Sequence, residues 1–286
     1  TGKMIRELWG QTLPVYSVQF SSDGKKIITA SADDTVRIYD AATGRFERNI
    51  GRHGYEVMLA QFNPDGNSIL TASRYKTATI WDAITGEPKV SLIVHNDFIW
   101  SAEISPDGKT VATASNDKTA KIWDAVTGIW IADLKGHSEA VTSVHYSKDG
   151  KKLVTTSWDN TSKVWSLSSG KCLYTFFALN KIEKLEDKND YLVIDSNSRY
   201  DGTEGARKSL YFTCGTEMIT LEQVKDSLWV PYLAERINSN DIINAPSLEN
   251  YDKVFYLGMF HQHVLPWNAN CFQLQESIVN SIEAQF

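Results

Sequence analysis

The sequence predicts an all-β protein made by repeating one four-stranded unit. Three marks predict it, and each keeps a period of 42 residues. A strand ends at Tyr39-Asp40, Trp81-Asp82, Trp123-Asp124 and Trp165-Ser166. Hairpin turns fall at Asp23-Gly24, Asp65-Gly66, Asp107-Gly108 and Asp149-Gly150, and exit turns at Thr43-Gly44, Thr85-Gly86, Thr127-Gly128 and Ser169-Gly170. Marks that share one period without slippage mean one supersecondary unit, stacked repeatedly. The question then becomes which surface binds what, rather than which bond is broken.

The last repeat shows the elements in order. His137 opens it after Gly136, and Val141–Tyr146 has the β-rich composition of a half-buried strand. Ser147–Gly150 is a hairpin turn whose glycine can take positive φ. Lys152–Ser157 is a second strand, Trp158–Asn160 a tight turn and Thr161–Trp165 a third strand. After the exit turn, Lys171–Phe176 supplies a fourth. Four antiparallel strands in a unit of about 40 residues is the signature of a propeller blade.

These residues resemble the WD-repeat family of β-propellers over residues 1–176. The resemblance implies a buried hydrogen-bonded group in each blade: His before the first strand, Ser on the second, Asp in the tight turn and Trp on the third. The third unit carries His95, Ser115, Asp117 and Trp123; the fourth carries His137, Ser157, Asp159 and Trp165. Buried polar groups must be paired, so a closed set locks a blade, and these histidines are expected to be staples rather than catalytic or metal groups. The first unit has Gln11 and Tyr39 where His and Trp are expected, but keeps Ser31 and Asp33. The second keeps His53, Ser73 and Trp81 but has Tyr75 in place of Asp. Both are expected to be less rigidly tied.

The blade units run over about 9–50, 51–92, 93–134 and 135–176. Lys3–Leu8 reads as the fourth strand of a preceding blade, and Thr1-Gly2 falls at the exit-turn phase. Upstream repeats of the same protein are therefore expected to complete the ring, since unpaired edges are a liability. A degenerate fifth blade is expected over 177–215, from strands at Lys181–Leu185, Tyr191–Asp195 and Lys208–Phe212. A mixed or helical extension follows over 216–286. There Thr220 with Gln223 makes a capping box ahead of Leu221, Val224 and Leu228, and Pro231 interrupts before a short turn of helix at Tyr232–Ile237. Lys253–Phe260 reads as a strand and Cys271–Ala284 as an amphipathic helix.

Composition bounds the functions. With 286 residues, 42% of them hydrophobic, the chain can bury a sizeable core. The net charge of −6 lies in the C-terminal third: residues 1–176 carry 20 Lys and Arg against 19 Asp and Glu, and residues 177–286 carry 9 against 16. An acidic chain is poorly suited to hold phosphate backbones, so nucleic acid is not expected. No run of about 18 apolar residues and no signal peptide is visible, so no membrane association is expected. Cys172, Cys214 and Cys271 are odd in number and scattered, which suits a reducing, cytoplasmic compartment.

Residues 191–237 carry a second resemblance. Tyr191–Asp195, Arg199–Thr203, Leu221–Lys225 and Trp229–Leu233 are similar to the segment after the propeller in bacterial WD-repeat proteins, some of which bear a caspase-like peptidase domain. This implies an alternative role as the regulatory or sensor module of a larger bacterial peptidase. Within this chain a Cys-His pair has only His261, His263 and Cys271 to draw on, without the local patterns of that chemistry. The same three fit no familiar zinc spacing. Phosphate-cradling glycine loops and hydrolase motifs are absent. The expectation is no enzyme in this chain, no cofactor and no metal.

What remains is a partner surface for a protein or peptide. In the family, positions three and five residues after the His reach the propeller face, as does the residue before the tight-turn Asp. Here they are Pro14, Tyr16, Glu56, Met58, Phe98, Trp100, Ala140 and Thr142, then Ala32, Arg74, Asn116 and Trp158. Large side chains there are costly to leave uncovered, and Tyr, Trp and Arg dominate interface energetics. Tyr16, Arg74, Phe98, Trp100 and Trp158 form the candidate patch, with Glu56 as a polar member.

Overall fold

Each 42-residue repeat becomes a four-stranded antiparallel arrangement in the computed structural model, which describes residues 4–51, 53–93, 95–179, 190–196, 199–214, 217–221, 229–239, 254–259 and 262–268. The first sheet holds β1 (Val15–Phe20), β2 (Lys26–Ser31), β3 (Val36–Asp40) and β4 (Phe46–Asn49) in sequence order. The second holds β5 (Val57–Phe62), β6 (Ser68–Ser73), β7 (Thr77–Asp82) and β8 (Pro88–Ile93). The third holds β9 (Ile99–Ile104), β10 (Thr110–Ser115), β11 (Thr119–Asp124) and β12 (Trp130–Lys135). The fourth repeat forms β13 (Val141–Tyr146), β14 (Lys152–Ser157), β15 (Thr161–Ser166) and β16 (Cys172–Leu179).

The turns explain the regularity. At each hairpin the aspartate folds back on its own loop: Asp23 accepts from Lys25 N and Ser21 Oγ, and Asp107 and Asp149 repeat the bonds. The next residue is Gly24, Gly66, Gly108 or Gly150, each in the left-handed region that glycine enters without strain. Antiparallel register then places the start of each first strand opposite the end of its second: Val15 faces Ser31, Val57 faces Ser73, Ile99 faces Ser115 and Val141 faces Ser157. One residue later the register slips in all four, leaving Tyr16, Met58, Trp100 and Thr142 as unpaired bulge residues.

The chain divides into two compact units, Thr1–Asn160 with Val164–Lys171, and Thr161–Lys163 with Cys172–Phe286. In the first, the core lies between successive sheets. Ile28, Ala30, Val36 and Ile38 pack with Val57, Ala60 and Phe62 of the next sheet, and Leu70, Ala72, Ala78 and Ile80 with Ile99, Ala102 and Ile104. Side chains also cross to the next sheet's backbone: Gln19 Oε1 accepts from Phe62 N at 3.1 Å and Glu103 Oε2 from Tyr146 N at 2.7 Å.

The expected fifth blade takes a different form. Its second strand exists as β17 (Asp190–Asp195) but pairs with β16, extending that sheet, and β18 (Tyr200–Gly202) adds beyond it. The long apolar edge of β16 captures it, and the Phe176 and Tyr191 rings stack at 5.7 Å. A helix, α1 (Glu204–Ser209), leads into β19 (Leu210–Cys214), the expected third strand, which instead joins β20 (Glu217–Thr220), β21 (Val254–Met259) and β22 (Gln262–Asn268) in a separate sheet of order β20-β19-β21-β22. Thr220 is the last residue of β20. The short helix after Pro231 is present as α2 (Leu233–Asn238), and the strand over Lys253–Phe260 as β21. Lys181–Leu185, residues 222–228 and Cys271–Ala284 lie outside the described residues. Met4–Leu8 forms no strand and pairs with none of the described sheets.

Candidate functional site

His95 and His137 sit in buried hydrogen-bonded groups. His95 Nδ1–H donates to Asp117 Oδ2 at 2.9 Å, and His95 Nε2 lies 2.7 Å from the Thr113 hydroxyl. Thr113 Oγ1 also accepts Trp123 Nε1–H at 2.9 Å. The fourth repeat copies this through His137, Asp159, Thr155 and Trp165. The member joining His to Trp is therefore threonine, which sequence reasoning missed although Thr29, Thr71, Thr113 and Thr155 recur at the same period. Ser115 and Ser157 serve the turn instead: each hydroxyl donates to loop carbonyls and accepts the aspartate's own N–H. Burial alone raises a carboxyl pKa, but bonds from His95, Thr119 and Asn96 N hold Asp117 well below the usual carboxylate range.

The first two blades part company. The sequence predicts a loosely tied first blade, yet it closes with substitutes. Gln11 Nε2 donates to Thr29 Oγ1 at 2.7 Å, Arg37 bridges Gln11 Oε1 and Asp33, and Tyr39 O–H donates to the Trp9 carbonyl. An amide supplies both donor and acceptor, so Gln11 fills the histidine's role. The second blade is open as expected. With Tyr75 replacing Asp, His53 Nε2 is buried without a hydrogen-bond partner, and its ring rests edge-on against Trp81 at 5.1 Å. Burial lowers the His53 pKa to about 4, against a bond to the Ile50 backbone that raises it.

All six patch residues fall at the end of the sheets where first strands begin and second strands end. Side-chain contacts link them from sheet to sheet. Tyr16 O–H donates to Glu56 at 3.3 Å, and Arg74 Nη1 pairs with the same Glu56 oxygen at 2.7 Å. The Arg74 guanidinium lies 5.2 Å over the Phe98 ring. The Trp100 and Trp158 rings meet at 5.3 Å, and Trp100 Nε1 donates to Asn116, itself bonded to Asp97. Trp158 nevertheless stays 60% exposed, and Tyr16 and Phe98 also face solvent. Two features escaped the sequence: the bulges that turn Tyr16 and Trp100 out of the ladder, and an exposed Tyr55–Tyr75 ring stack beside the patch at 4.3 Å.

Chemistry has little to draw on among the described residues. No group of three His, Cys, Asp or Glu side chains is arranged to hold a metal. Cys172 is half-buried and its thiol is pushed up by burial, the reverse of an activated nucleophile. His261 and Cys271 lie outside the described residues, while His263 sits in β22. No described helix is long and apolar enough to cross a membrane.

Comparison with known proteins points one way. The profile of the family described as WD domain, G-beta repeat matches residues 2–40, 44–82, 86–124 and 128–166, more than half of the chain. The U3 small nucleolar RNA-associated protein 21 homolog of Schizosaccharomyces pombe is 46% identical over 44 residues, which are 15% of this chain and 5% of that protein. Of solved structures, the computationally designed Ika4 protein superposes with a TM-score of 0.52 at 28% identity, covering 58% of this chain and 99% of the other. The WD40 β-propeller domain of Doa1 superposes with a TM-score of 0.52 at 21% identity, covering 56% of this chain and 53% of the other, a likeness of fold.

Proposed function

Because the chain belongs to the WD40 family of β-propeller repeats, whose general role is protein interaction, we propose that it is a non-catalytic scaffold that docks a protein or peptide on the end carrying Tyr16, Glu56, Arg74, Phe98, Trp100 and Trp158. One observation carries this reading: these side chains touch one another across four successive repeats, yet leave the Trp158 ring largely in water. Ion pairing and ring contacts hold the patch in shape before a partner arrives, which lowers the entropic cost of binding. An exposed tryptophan and an arginine held by an ion pair are residue types that dominate interface energetics. A reducing, cytoplasmic location suits the three scattered cysteines. The alternative, a regulatory module of a bacterial peptidase, draws on the resemblance over residues 191–237 alone.

The test is partner capture by wild type, Trp158→Ala and Arg74→Ala, with Lys25→Ala in a hairpin turn at the opposite end as control. Each patch variant is expected to weaken capture by about 2 kcal/mol, roughly 30-fold, at unchanged thermal stability. Full capture by folded patch variants removes the site from consideration.

A further inference from the structure

At the hairpin-turn end of the sheets, opposite the partner patch, a cleft of about 440 Å³ opens between the first sheet and the second. Its walls hold Lys26 at the start of β2, Glu47 and Arg48 on β4, Phe62 at the end of β5, and Ala83 and Ile84 in the turn after β7. That volume lies within the range of small-molecule sites. Phe62 and Ile84 give the cleft an apolar side, and Ile84 is 74% exposed. Lys26 Nζ pairs with Glu47 Oε2 at 2.5 Å. Arg48 donates through Nη1 to the Ile84 carbonyl and through Nη2 to the Ala83 carbonyl, while its buried Nε–H has no hydrogen-bond partner. The lining thus sets two cations against one anion.

The next two junctions between sheets lack this chemistry. One period on, Ser68, Lys89, Val90 and Ile104 stand where Lys26, Glu47, Arg48 and Phe62 stand here. Packing there is close: a Cβ on Gly128 would come within 2.7 Å of Val90 Cγ1, whereas on the equivalent Gly86 it would meet nothing nearer than 3.8 Å. Two periods on, Thr110 replaces Lys26, Ala132 replaces Arg48 and Tyr146 replaces Phe62, and the Tyr146 and Thr110 hydroxyls lie 2.9 Å apart. Sheets of this chain therefore pack on one another with valine or alanine at the arginine position, so packing does not demand Arg48. A buried charged donor without an acceptor is costly to keep, and an acceptor entering the cleft removes that cost.

We propose that this cleft binds a small monocarboxylate with an apolar body. The guanidinium edge of Arg48 turns toward the cleft and the carboxylate accepts its Nε–H, Lys26 supplies a second positive charge, and the body lies on Phe62 and Ile84. A guanidinium presents neighbouring donors that match the two oxygens of a carboxylate. Charge decides between a carboxylate and a phosphate monoester: the Glu47 carboxylate in the same lining opposes a second negative charge on the ligand. A free acid and the last residue of a peptide present the same group to Arg48. The site lies at the other end of the sheets from the partner patch and does not rest on it.

Calorimetric titration of the whole chain with N-acetyl-phenylalanine, its amide and phenyl phosphate tests the assignment. The acid is expected to bind about tenfold more tightly than the other two. Arg48→Val and Lys26→Ser install the residues of the second junction, and each is expected to weaken the acid about tenfold at a urea midpoint near that of wild type. Ile84→Ser is expected to weaken it severalfold. A short peptide ending in free phenylalanine separates the two sources: tighter binding than the acid assigns a chain terminus, weaker binding a free acid. Trp158→Ala at the patch is expected to leave every one of these affinities unchanged. No saturable binding of acid or peptide, equal affinity for the amide, tighter binding of phenyl phosphate, or unchanged affinity in the folded Arg48→Val and Lys26→Ser variants would each overturn the proposal.

Discussion

Asp117→Ala strikes the most densely bonded carboxylate of the third repeat. Its side chain is 8% exposed and accepts four hydrogen bonds: His95 Nδ1–H at 2.9 Å, Asn96 N–H and Thr119 N–H at 3.0 Å each, and the Thr119 hydroxyl at 2.6 Å. Alanine leaves two backbone donors, a hydroxyl and an imidazole N–H without that partner inside a buried turn. Each such loss costs about 1 kcal/mol, and removing one member of a buried, mutually bonded group costs about 3–5 kcal/mol in all. The His95 ring also loses the contact that orients it toward Thr113. Urea unfolding followed by tryptophan fluorescence measures the change as a shift in midpoint at constant slope. The sign of the pH dependence follows from the depressed folded pKa of Asp117. Its stabilisation is present above the unfolded value and is lost as pH falls through the folded one, so wild type and variant converge in strong acid. A loss below about 1 kcal/mol at neutral pH, the size expected for an exposed aspartate, would refute the claim that this network ties the blade.

Further outcomes follow from the same geometry. Thr113→Val removes the hydroxyl shared by His95 and Trp123 and is expected to cost about 2 kcal/mol, read by the same unfolding assay. Tyr75→Asp returns a carboxylate to the second blade; a net gain of about 1 kcal/mol is expected after loss of the exposed Tyr55 stack, with an upward move of the His53 titration by NMR. His53 has its folded pKa depressed from 6.5 to about 4, so the unfolded chain binds the proton first and stability falls as pH drops through that window. The span is roughly 3 kcal/mol, and His53→Phe should flatten this part of the profile. Gly51→Ala drives a methyl into the Trp81 ring at a φ of +59°; a loss of about 2–4 kcal/mol is expected, and calorimetry detects it.

Turn chemistry and strand pattern are local, so the repeat and its strands were legible from spacing, while the His-Asp pairs came from the family resemblance. Partner choice along a strand edge is not local. Asp190–Asp195 reads as a strand in any arrangement, but whether it begins a new sheet or extends β16 depends on which edge is nearest in space. Thr113 illustrates the same limit at one residue: threonine is common in strands, and only the approach of His95 and Trp123 to its hydroxyl marks it as the joint. Gln11 shows that side chains of different shape close one network when their donors and acceptors reach the same partners.

By itself, the order of residues determined the blade fold and the number of complete repeats, because period-two strands and glycine turns act over a few residues; the positions that reach the exposed end were implied by the family resemblance. Tertiary structure decided which of those side chains meet. It joined Glu56 to both Tyr16 and Arg74, and set Trp100 against Trp158 through a bulge. Those contacts join residues far apart along the chain or arise from one-residue slips in register, and neither is written in any local stretch of chain.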